Sequence, residues 1–209
     1  MEIILSGLTY ESCLVYLDDT VIYGPDWDTH LSQLAAVLDR LEKANLKLKP
    51  SKRNMFQGQI HFLGHIINRE GIQCDPEKVR AVTEWPVPQN LRDLRAFIGL
   101  ASYYRSFIRG FADLARPLNE LTRKGAPFVW TDRQQRAFEA LKCSLTTAPV
   151  LAPPRDEGTY VLDSDASEEA LGCVLQQEQE GQLKVIAYAS RAVCDAERHY
   201  CLVWFLSGS

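Results

Sequence analysis

The chain has 209 residues, and 46% of them are hydrophobic, so it can bury one large core or two to three small ones. This composition excludes a disordered chain, and the formal net charge of −4 gives no overall basic signal for a nucleic-acid partner. Such a partner has to be argued from local charge, and no apolar segment approaches the ~20 residues that span a bilayer.

Six cysteines are scattered along the chain without a CxxC pair, which argues against a zinc knuckle or a redox motif. Reduced intracellular thiols are the plainer interpretation. The N-terminal residues include an acid and too short an apolar run for a secretory signal. We therefore expect a soluble intracellular protein, cytoplasmic or nuclear, with no membrane partner.

The first predicted element is a β-hairpin. Two short apolar runs, residues 13–16 and 20–23, flank Leu17-Asp18-Asp19, which places two acids at the turn. Over residues 27–44 the leucines recur at steps of three and four. This spacing predicts an amphipathic helix that covers a sheet.

The next segments predict short strands and then a short helix. Residues 46–49 alternate apolar and basic side chains, and residues 60–67 form an apolar run between glycines, so both favour strands. Asp75 followed by Pro76 is typical of a helix start, and this helix should continue to about Thr83.

The middle of the chain is predicted to be helical. Residues 90–109 should form one long helix with Asn90 as its N-cap, and residues 112–122 and 134–146 should form two more. Pro149, Pro153 and Pro154 then predict a stiff linker. Three strand candidates follow at residues 160–162, 171–176 and 183–189. The order of sheet, helices and sheet indicates an α+β fold.

Charge differs between these segments. Residues 88–125 hold seven bases against three acids, whereas residues 156–180 hold eight acids and neither lysine nor arginine. The contrast argues that the two segments have different roles.

Asp18 and Asp19 are the first candidate site. Two adjacent carboxylates on a turn anchored in a sheet can hold divalent cations, and two such ions are what phosphoryl transfer needs. An ordinary solvated Asp-Asp turn is the alternative for a bare pair.

The context Tyr16-Leu17-Asp18-Asp19 between apolar strands resembles the YxDD box of reverse transcriptases. Further similarity to gypsy-type long-terminal-repeat retrotransposons continues in chain order. The matching segments are HL (30–31), LKLKPSK (46–52), FLGH (62–65), WPVP (85–88), LRAFIGL (94–100), YYRSFI (103–108) and FVW (128–130). The resemblance implies a partial polymerase palm at residues 1–75 with its covering helix, a helical thumb at 76–148, and a truncated ribonuclease H-like β-sheet domain at 149–209.

The resemblance also implies roles for single residues in polymerisation. Asp18 and Asp19 would be catalytic ligands of Mg²⁺ or Mn²⁺, with Tyr16 beside them at the substrate. Phe62-Leu63-Gly64 would form part of the primer grip. Lys52 would lie near the phosphates of the incoming nucleotide, although the neighbouring position, often Cys in relatives, is Arg53; a solvated turn lysine is the alternative.

The thumb would bring a set of arginines to the backbone of the template-primer duplex through contacts that are independent of sequence. Solvated surface arginines remain the alternative for each one singly. The set consists of Arg92, Arg95, Arg105 and Arg109.

The segment YVLDSDAS (160–167) resembles the first strand of the family's ribonuclease H domain. It implies that Asp165 is the leading catalytic and metal-binding aspartate, with Asp163 as a solvated or structural neighbour. The segments LGCVLQQ (171–177) and IAYASR (186–191) continue the match as the next two strands. A strand-end carboxylate suits the two-metal hydrolysis of an RNA strand.

The chain departs from the family pattern in two places. The palm aspartate expected well upstream of YxDD does not occur before Tyr16, and Leu206 stands about where relatives carry a second ribonuclease H carboxylate after the pair Tyr200-Cys201. We therefore expect both active sites to be incomplete and the isolated chain to be inactive. A partial final domain should also expose strand edges and apolar surface.

Three hypotheses stay open. The chain is part of an enzyme, an RNA-directed DNA polymerase (a nucleotidyltransferase) and RNA-DNA hybrid ribonuclease, acting on a template-primer duplex and deoxynucleotides. Alternatively, it is a non-catalytic relic that binds primer-template nucleic acid through the basic thumb. In a third reading the last domain is a purely structural connection-type domain, against which the SDAS sequence (164–167) argues. The oligomeric state is left open.

Overall fold

A computed structural model describes residues 1–194 and Glu197. The predictions that concern Tyr200-Cys201 and Leu206 lie outside these residues. Helices and small antiparallel sheets occur together, which confirms the predicted α+β class. The chain forms two compact units, the first over residues 1–62 and the second from Leu63 onward. The three-part domain division stays a prediction.

The first unit contains the predicted hairpin and its helix. Strands β1 (Cys13–Tyr16) and β2 (Asp19–Ile22) are antiparallel, and Tyr16 pairs with Asp19. Helix α1 (Trp27–Lys43) begins where the Asp26 side chain accepts a hydrogen bond from the Thr29 backbone. Its apolar face packs in a small core with the hairpin, which confirms both predictions. The fully buried members are Leu5, Cys13, Val37 and Leu41.

The rest of the first unit corrects one prediction. Residues 46–49 were expected to form a strand, but they form none, because no strand in the described part of the chain pairs with them. Leu46 and Leu48 are 41% and 40% exposed, so little burial favours a strand there. A 3₁₀ turn, Pro50–Lys52, follows, and strand β3 (Gln59–Phe62) ends the unit.

The second unit begins with a hairpin where one strand was predicted. Strands β4 (His65–Asn68) and β5 (Gly71–Cys74) are antiparallel. The run expected to form a strand at residues 60–67 is divided between β3 and β4, because Leu63 and Gly64 adopt φ of +47° and +70° and interrupt it.

The predicted proline-rich linker is docked against this hairpin. The Ile72 and Leu151 backbones exchange two hydrogen bonds of 2.8 and 2.9 Å, and the Ala152 amide donates to the Val185 carbonyl at 2.8 Å. Leu151 is buried. The segment therefore joins the hairpin to the sheet that follows.

Four helices form the centre of the second unit. They are α2 (Pro76–Thr83), α3 (Leu91–Tyr103), α4 (Phe111–Leu121) and α5 (Asp132–Thr146). Asp75 and Asn90 cap α2 and α3 as predicted. Their apolar faces meet in one core. Its largest fully buried members are Leu94, Phe97, Tyr104, Leu118, Phe138 and Leu141.

The predicted helix at residues 90–109 is too long. Helix α3 ends at Tyr103, and a 3₁₀ turn, Arg105–Phe107, follows it. Phe107 and Ile108 are both about 3% exposed, so tight packing of this turn outweighs continuation of the helix. Basic residues predicted on one helix therefore lie on different elements.

The last sheet contains the three predicted strands, all longer than expected. They are β6 (Tyr160–Ala166), β7 (Ala170–Gln179) and β8 (Gln182–Ala192), antiparallel in the order β6-β7-β8. Leu162 and Leu183 are 63% and 53% exposed, so this sheet presents apolar surface. Within the described residues, no helix is both long enough and apolar enough to cross a bilayer.

Candidate active site and nucleic-acid interface

The two adjacent acids lie at the tip of the first hairpin. Leu17 and Asp18 form the two-residue turn, and Asp19 is the first residue of β2. Leu17 is 73% exposed and has φ of +52°, a left-handed conformation that costs a branched residue about 1 kcal/mol. Both carboxylates are exposed, and the strand pairing on each side holds the turn.

These carboxylates suit a hard cation. Mg²⁺ is commonly held by one or two carboxylates, with its other ligands taken from water and substrate phosphates. In the part of the chain that the structure describes, no group of three or more His, Cys, Asp or Glu side chains could hold a metal. Asp18 and Asp19 fit such an ion as part of a coordination shell.

The other residues predicted near the incoming nucleotide are exposed. Tyr16 pairs with Asp19 and is 54% exposed, so the hairpin brings it to the acidic turn. Lys52 lies in the 3₁₀ turn after α1 and is exposed. Among the described residues, no hydrogen bond or ion pair joins Lys52 to the hairpin.

The predicted primer-grip residues span the boundary of the two units. Phe62 ends β3, and Leu63 and Gly64 form the turn that opens the second unit. Within that unit, the Tyr104 hydroxyl donates to the Gly64 carbonyl at 2.7 Å, and the Tyr103 hydroxyl donates to the Leu63 carbonyl. Two tyrosines at the end of α3 therefore hold the turn.

The His65 ring packs beside the tyrosines that hold the Leu63-Gly64 turn. The His65 ring stacks on Tyr103 and Phe107, with ring centroids 5.4 and 5.5 Å apart. A Cβ atom on Gly64 would lie 3.4 Å from the Tyr104 hydroxyl, so the backbone approaches the tyrosine closely. The sequence analysis assigned no supporting role to these residues. The adjacent pair Tyr103-Tyr104 was the only signal that could have found them.

Burial sets the protonation of this cluster. It raises the pKa of Tyr104 to about 12, so the hydroxyl remains a donor to Gly64. Burial also lowers the pKa of His65, and a hydrogen bond with the Gln73 backbone opposes this in part. His65 is therefore neutral around pH 7.

The predicted thumb arginines fall into two groups. Arg92 and Arg95 are exposed on α3, and the Arg95 guanidinium donates to the Thr122 carbonyl at 3.5 Å. Arg105 lies on the 3₁₀ turn and Arg109 just beyond it. The expectation that all four lie on one continuous helix is wrong.

Asp165 lies on the final sheet. It pairs with Gly172, and Asp163 pairs with Val174 two positions earlier on β6. Residues two apart on a strand point to the same face, so both exposed carboxylates lie on one side of the sheet.

The acidic hairpin lies in one segment that matches a family model, and α5 and the final sheet lie in another. Residues 1–67 match the family described as Reverse transcriptase (RNA-dependent DNA polymerase), and residues 130–204 match the RNase H-like domain found in reverse transcriptase. The fold and the acidic hairpin thus define the class: a reverse transcriptase segment with an RNase H-like domain.

Similar curated proteins place the chain within that class. It is 37% identical to the retrovirus-related Pol polyprotein from transposon opus and 38% identical to that from transposon 297, both of Drosophila melanogaster, over 91% and 97% of this chain. The Drosophila gypsy polyprotein is 33% identical over 90% of the chain. The chain belongs to the Pol polyprotein family of gypsy-type retrotransposons. It spans about a fifth of the length of these relatives, 20% and 19% for the first two.

Solved structures of foamy viral protease-reverse transcriptase share the fold. One, in complex with dsDNA, is 25% identical with a TM-score of 0.82 and covers 98% of this chain and 43% of that chain. Another, in complex with an RNA/DNA hybrid, is 24% identical with a TM-score of 0.80 and covers 97% of this chain and 27% of that chain.

Proposed function

We propose that the chain is part of an RNA-directed DNA polymerase with ribonuclease H, and that Asp18 and Asp19 are its polymerase metal ligands. One observation carries the proposal: the register of β1 and β2 sets two exposed carboxylates side by side at the tip of a hairpin, inside the segment that matches the reverse transcriptase family. Adjacent carboxylates with open surroundings leave room for substrate phosphates on the same ion.

Bound Mg²⁺ or Mn²⁺ would supply activation of the attacking hydroxyl and neutralisation of charge on the leaving pyrophosphate. The chain's own residues would bind and orient the substrates. Tyr16 is beside the acids, where its exposed ring can contact a deoxynucleotide. The turn at Leu63-Gly64, held by the hydroxyls of Tyr103 and Tyr104, would fix the primer end.

For the final sheet, we propose that Asp165 is a ligand for the hydrolytic metal of ribonuclease H. It lies on the sheet that matches the RNase H-like family, next to Asp163 on one face. A purely structural connection-type domain is the competing possibility for this sheet.

A second candidate is duplex binding without catalysis. The exposed arginines of the thumb support it, since guanidinium groups bind phosphates without regard to sequence. The foamy viral neighbours were solved with dsDNA and with an RNA/DNA hybrid, which supports duplex binding as a proposal for this chain. We propose that the isolated chain is inactive, because a two-metal site needs more carboxylate ligands than Asp18 and Asp19 supply, and no third His, Cys, Asp or Glu side chain joins them among the described residues.

Primer extension tests this proposal. The purified chain is incubated with an oligo-dT primer on poly-A, thymidine triphosphate and Mg²⁺, beside the variants Asp18→Asn and Asp19→Asn. We expect binding of the duplex but no extension. Extension by the parent chain that both variants lose would overturn the proposed inactivity and support the metal-ligand assignment. No duplex binding would contradict both candidate functions.

A further inference from the structure

A cavity of about 260 Å³ lies in the second unit, between the thumb and the final sheet. Its walls come from the 3₁₀ turn at 105–107, from α4 and from the end of β8. Four arginines line it, and we call it the arginine cleft. They are Arg105, Arg116, Arg123 and Arg191. Three of them were assigned no role by sequence reasoning.

The acids in the cleft are already engaged. The Glu120 carboxylate pairs with both terminal nitrogens of Arg133, at 2.8 and 3.1 Å, and Glu169 pairs with Arg116. The Arg191 guanidinium pairs with Glu197 at 2.7 and 2.6 Å. Within the described residues, Arg105 and Arg123 have no acidic partner, so the cleft retains positive charge.

Part of the Arg116 guanidinium in the cleft is also unused. The Arg116 Nε and Nη1 atoms are buried and have no hydrogen-bond partner among the residues described, although Nη1 forms the ion pair with Glu169. Buried donors are nearly always paired, so the Arg116 guanidinium keeps a donor that an incoming acceptor can satisfy.

The walls of the cleft are fixed before any ligand arrives. The Ala112 amide donates to the Ser190 Oγ atom at 2.9 Å, which joins α4 to β8. The Val193 amide donates to the Glu169 carbonyl at 2.9 Å, and Phe111 and Val193 are buried. The arginines therefore stand on elements that packing holds in place, which reduces the ordering cost of binding.

We propose that the arginine cleft binds backbone phosphates of a nucleic-acid duplex. The proposal rests on the proposed function and deepens it, because it assigns a phosphate site away from α3. The cavity is slightly smaller than ordinary small-molecule pockets, so it takes a phosphate with part of its sugar. Guanidinium groups match the planar geometry of phosphate oxygens, and the contacts carry no base information.

Salt-dependent binding tests the proposal. Fluorescence anisotropy measures the affinity of the chain for a labelled RNA-DNA hybrid between ~50 and ~200 mM salt. In the double variant Arg105→Gln, Arg123→Gln we expect the slope of log K against log salt to fall by about 1 to 2, since each lost phosphate contact removes ~0.9. Affinity at ~100 mM salt should drop about tenfold.

Matched controls separate the outcomes. The double variant Arg69→Gln, Arg80→Gln removes the same charge from exposed sites on the β4–β5 turn and α2, and it should keep the parent slope. The charge-preserving variant Arg105→Lys, Arg123→Lys should keep most of the parent slope. That result would exclude misfolding as the cause of the lower slope in the Arg105→Gln, Arg123→Gln variant. Circular dichroism confirms that each variant is folded.

Three results would overturn the proposal. If both glutamine double variants lower the slope equally, the lower slope reflects the loss of overall positive charge and not of a specific site. The cleft assignment then fails, while the proposal that the chain binds a duplex stands. If the parent chain binds no hybrid, the proposed function fails together with the cleft. If inorganic pyrophosphate binds the cleft but the hybrid does not compete for it, the cleft is a site for small free anions.

Discussion

Gly71 lies where two distant parts of the chain come closest. A Cβ atom at this position would sit 2.2 Å from the Leu151 carbonyl oxygen, and the backbone φ is +142°. Neither the contact nor the backbone conformation accepts a larger residue. The hydrogen bonds between Ile72 and Leu151 depend on this close approach.

We expect Gly71→Ala to lower the free energy of unfolding by about 2–3 kcal/mol, because the backbone of residues 71 and 151 must separate. Gly99 is the matched control: it is exposed on α3 with nothing within 4 Å of an added Cβ, so Gly99→Ala should stabilise by up to about 1 kcal/mol. Chemical denaturation measures both. Equal stabilities for the two variants would contradict the docked position of Leu151.

Single residues also show which contacts the sequence could predict and which it could not. Asp75 and Asn90 were predicted as helix caps because a cap acts on backbone a few residues away. Gln177 is fully buried, and its side-chain amide bonds to the Arg155 and Glu157 carbonyls at 2.8 and 3.0 Å. Its partners lie about twenty positions earlier, so no local pattern reveals that it fixes the proline-rich segment.

At the scale of elements, the junction of α3 with the β4–β5 hairpin carries a pH-sensitive group. His65 is packed between Tyr103 and Phe107, and burial lowers its pKa below the usual 6.5. The folded chain therefore binds the His65 proton less readily than the unfolded chain does. Stability from this residue is complete above pH 6.5 and decreases as the pH falls toward the folded pKa.

We expect the parent chain to lose stability relative to His65→Phe as the pH falls from about 7.5 to 5. Phenylalanine keeps the stacking but removes the titrating group, and the remaining histidines cancel in the comparison. Urea denaturation at a series of pH values gives the difference. A difference that does not change with pH would show that His65 is solvated in the folded chain.

Elements were predicted well where one local signal sufficed. The spacing of apolar residues predicted both ends of α1, α4 and α5 to within two residues. The end of α3 was missed because Phe107 and Ile108 enter the core, and helix periodicity continues through them. The strand predicted at 46–49 failed because strand formation depends on a partner that the segment itself does not reveal.

The sequence predicted the position of the candidate acids but not the arginine cleft, which is formed by distant parts of the chain. The hairpin that carries Asp18 and Asp19 was predictable from two apolar runs separated by a short turn, but its register was not, since Asp19 was expected in the turn and is the first residue of β2. The arginine cleft was not predictable, because it joins Arg105 and Arg123 of the helical centre to Arg191 of the final sheet. Charge counts show an excess of bases but not where they converge.

Mn²⁺ titration of the ¹⁵N-labelled chain, followed by NMR, tests most directly whether Asp18 and Asp19 bind a divalent metal. Paramagnetic broadening should remove the amide signals of the turn around Asp18 first, and the variant Asp18→Asn, Asp19→Asn should keep them. The control Asp28→Asn, Asp156→Asn, which removes two exposed acids elsewhere, should behave as the parent. Broadening at the turn that persists in the Asp18→Asn, Asp19→Asn variant would contradict the assignment of these carboxylates as metal ligands, as would a turn that Mn²⁺ leaves unaffected in the parent chain.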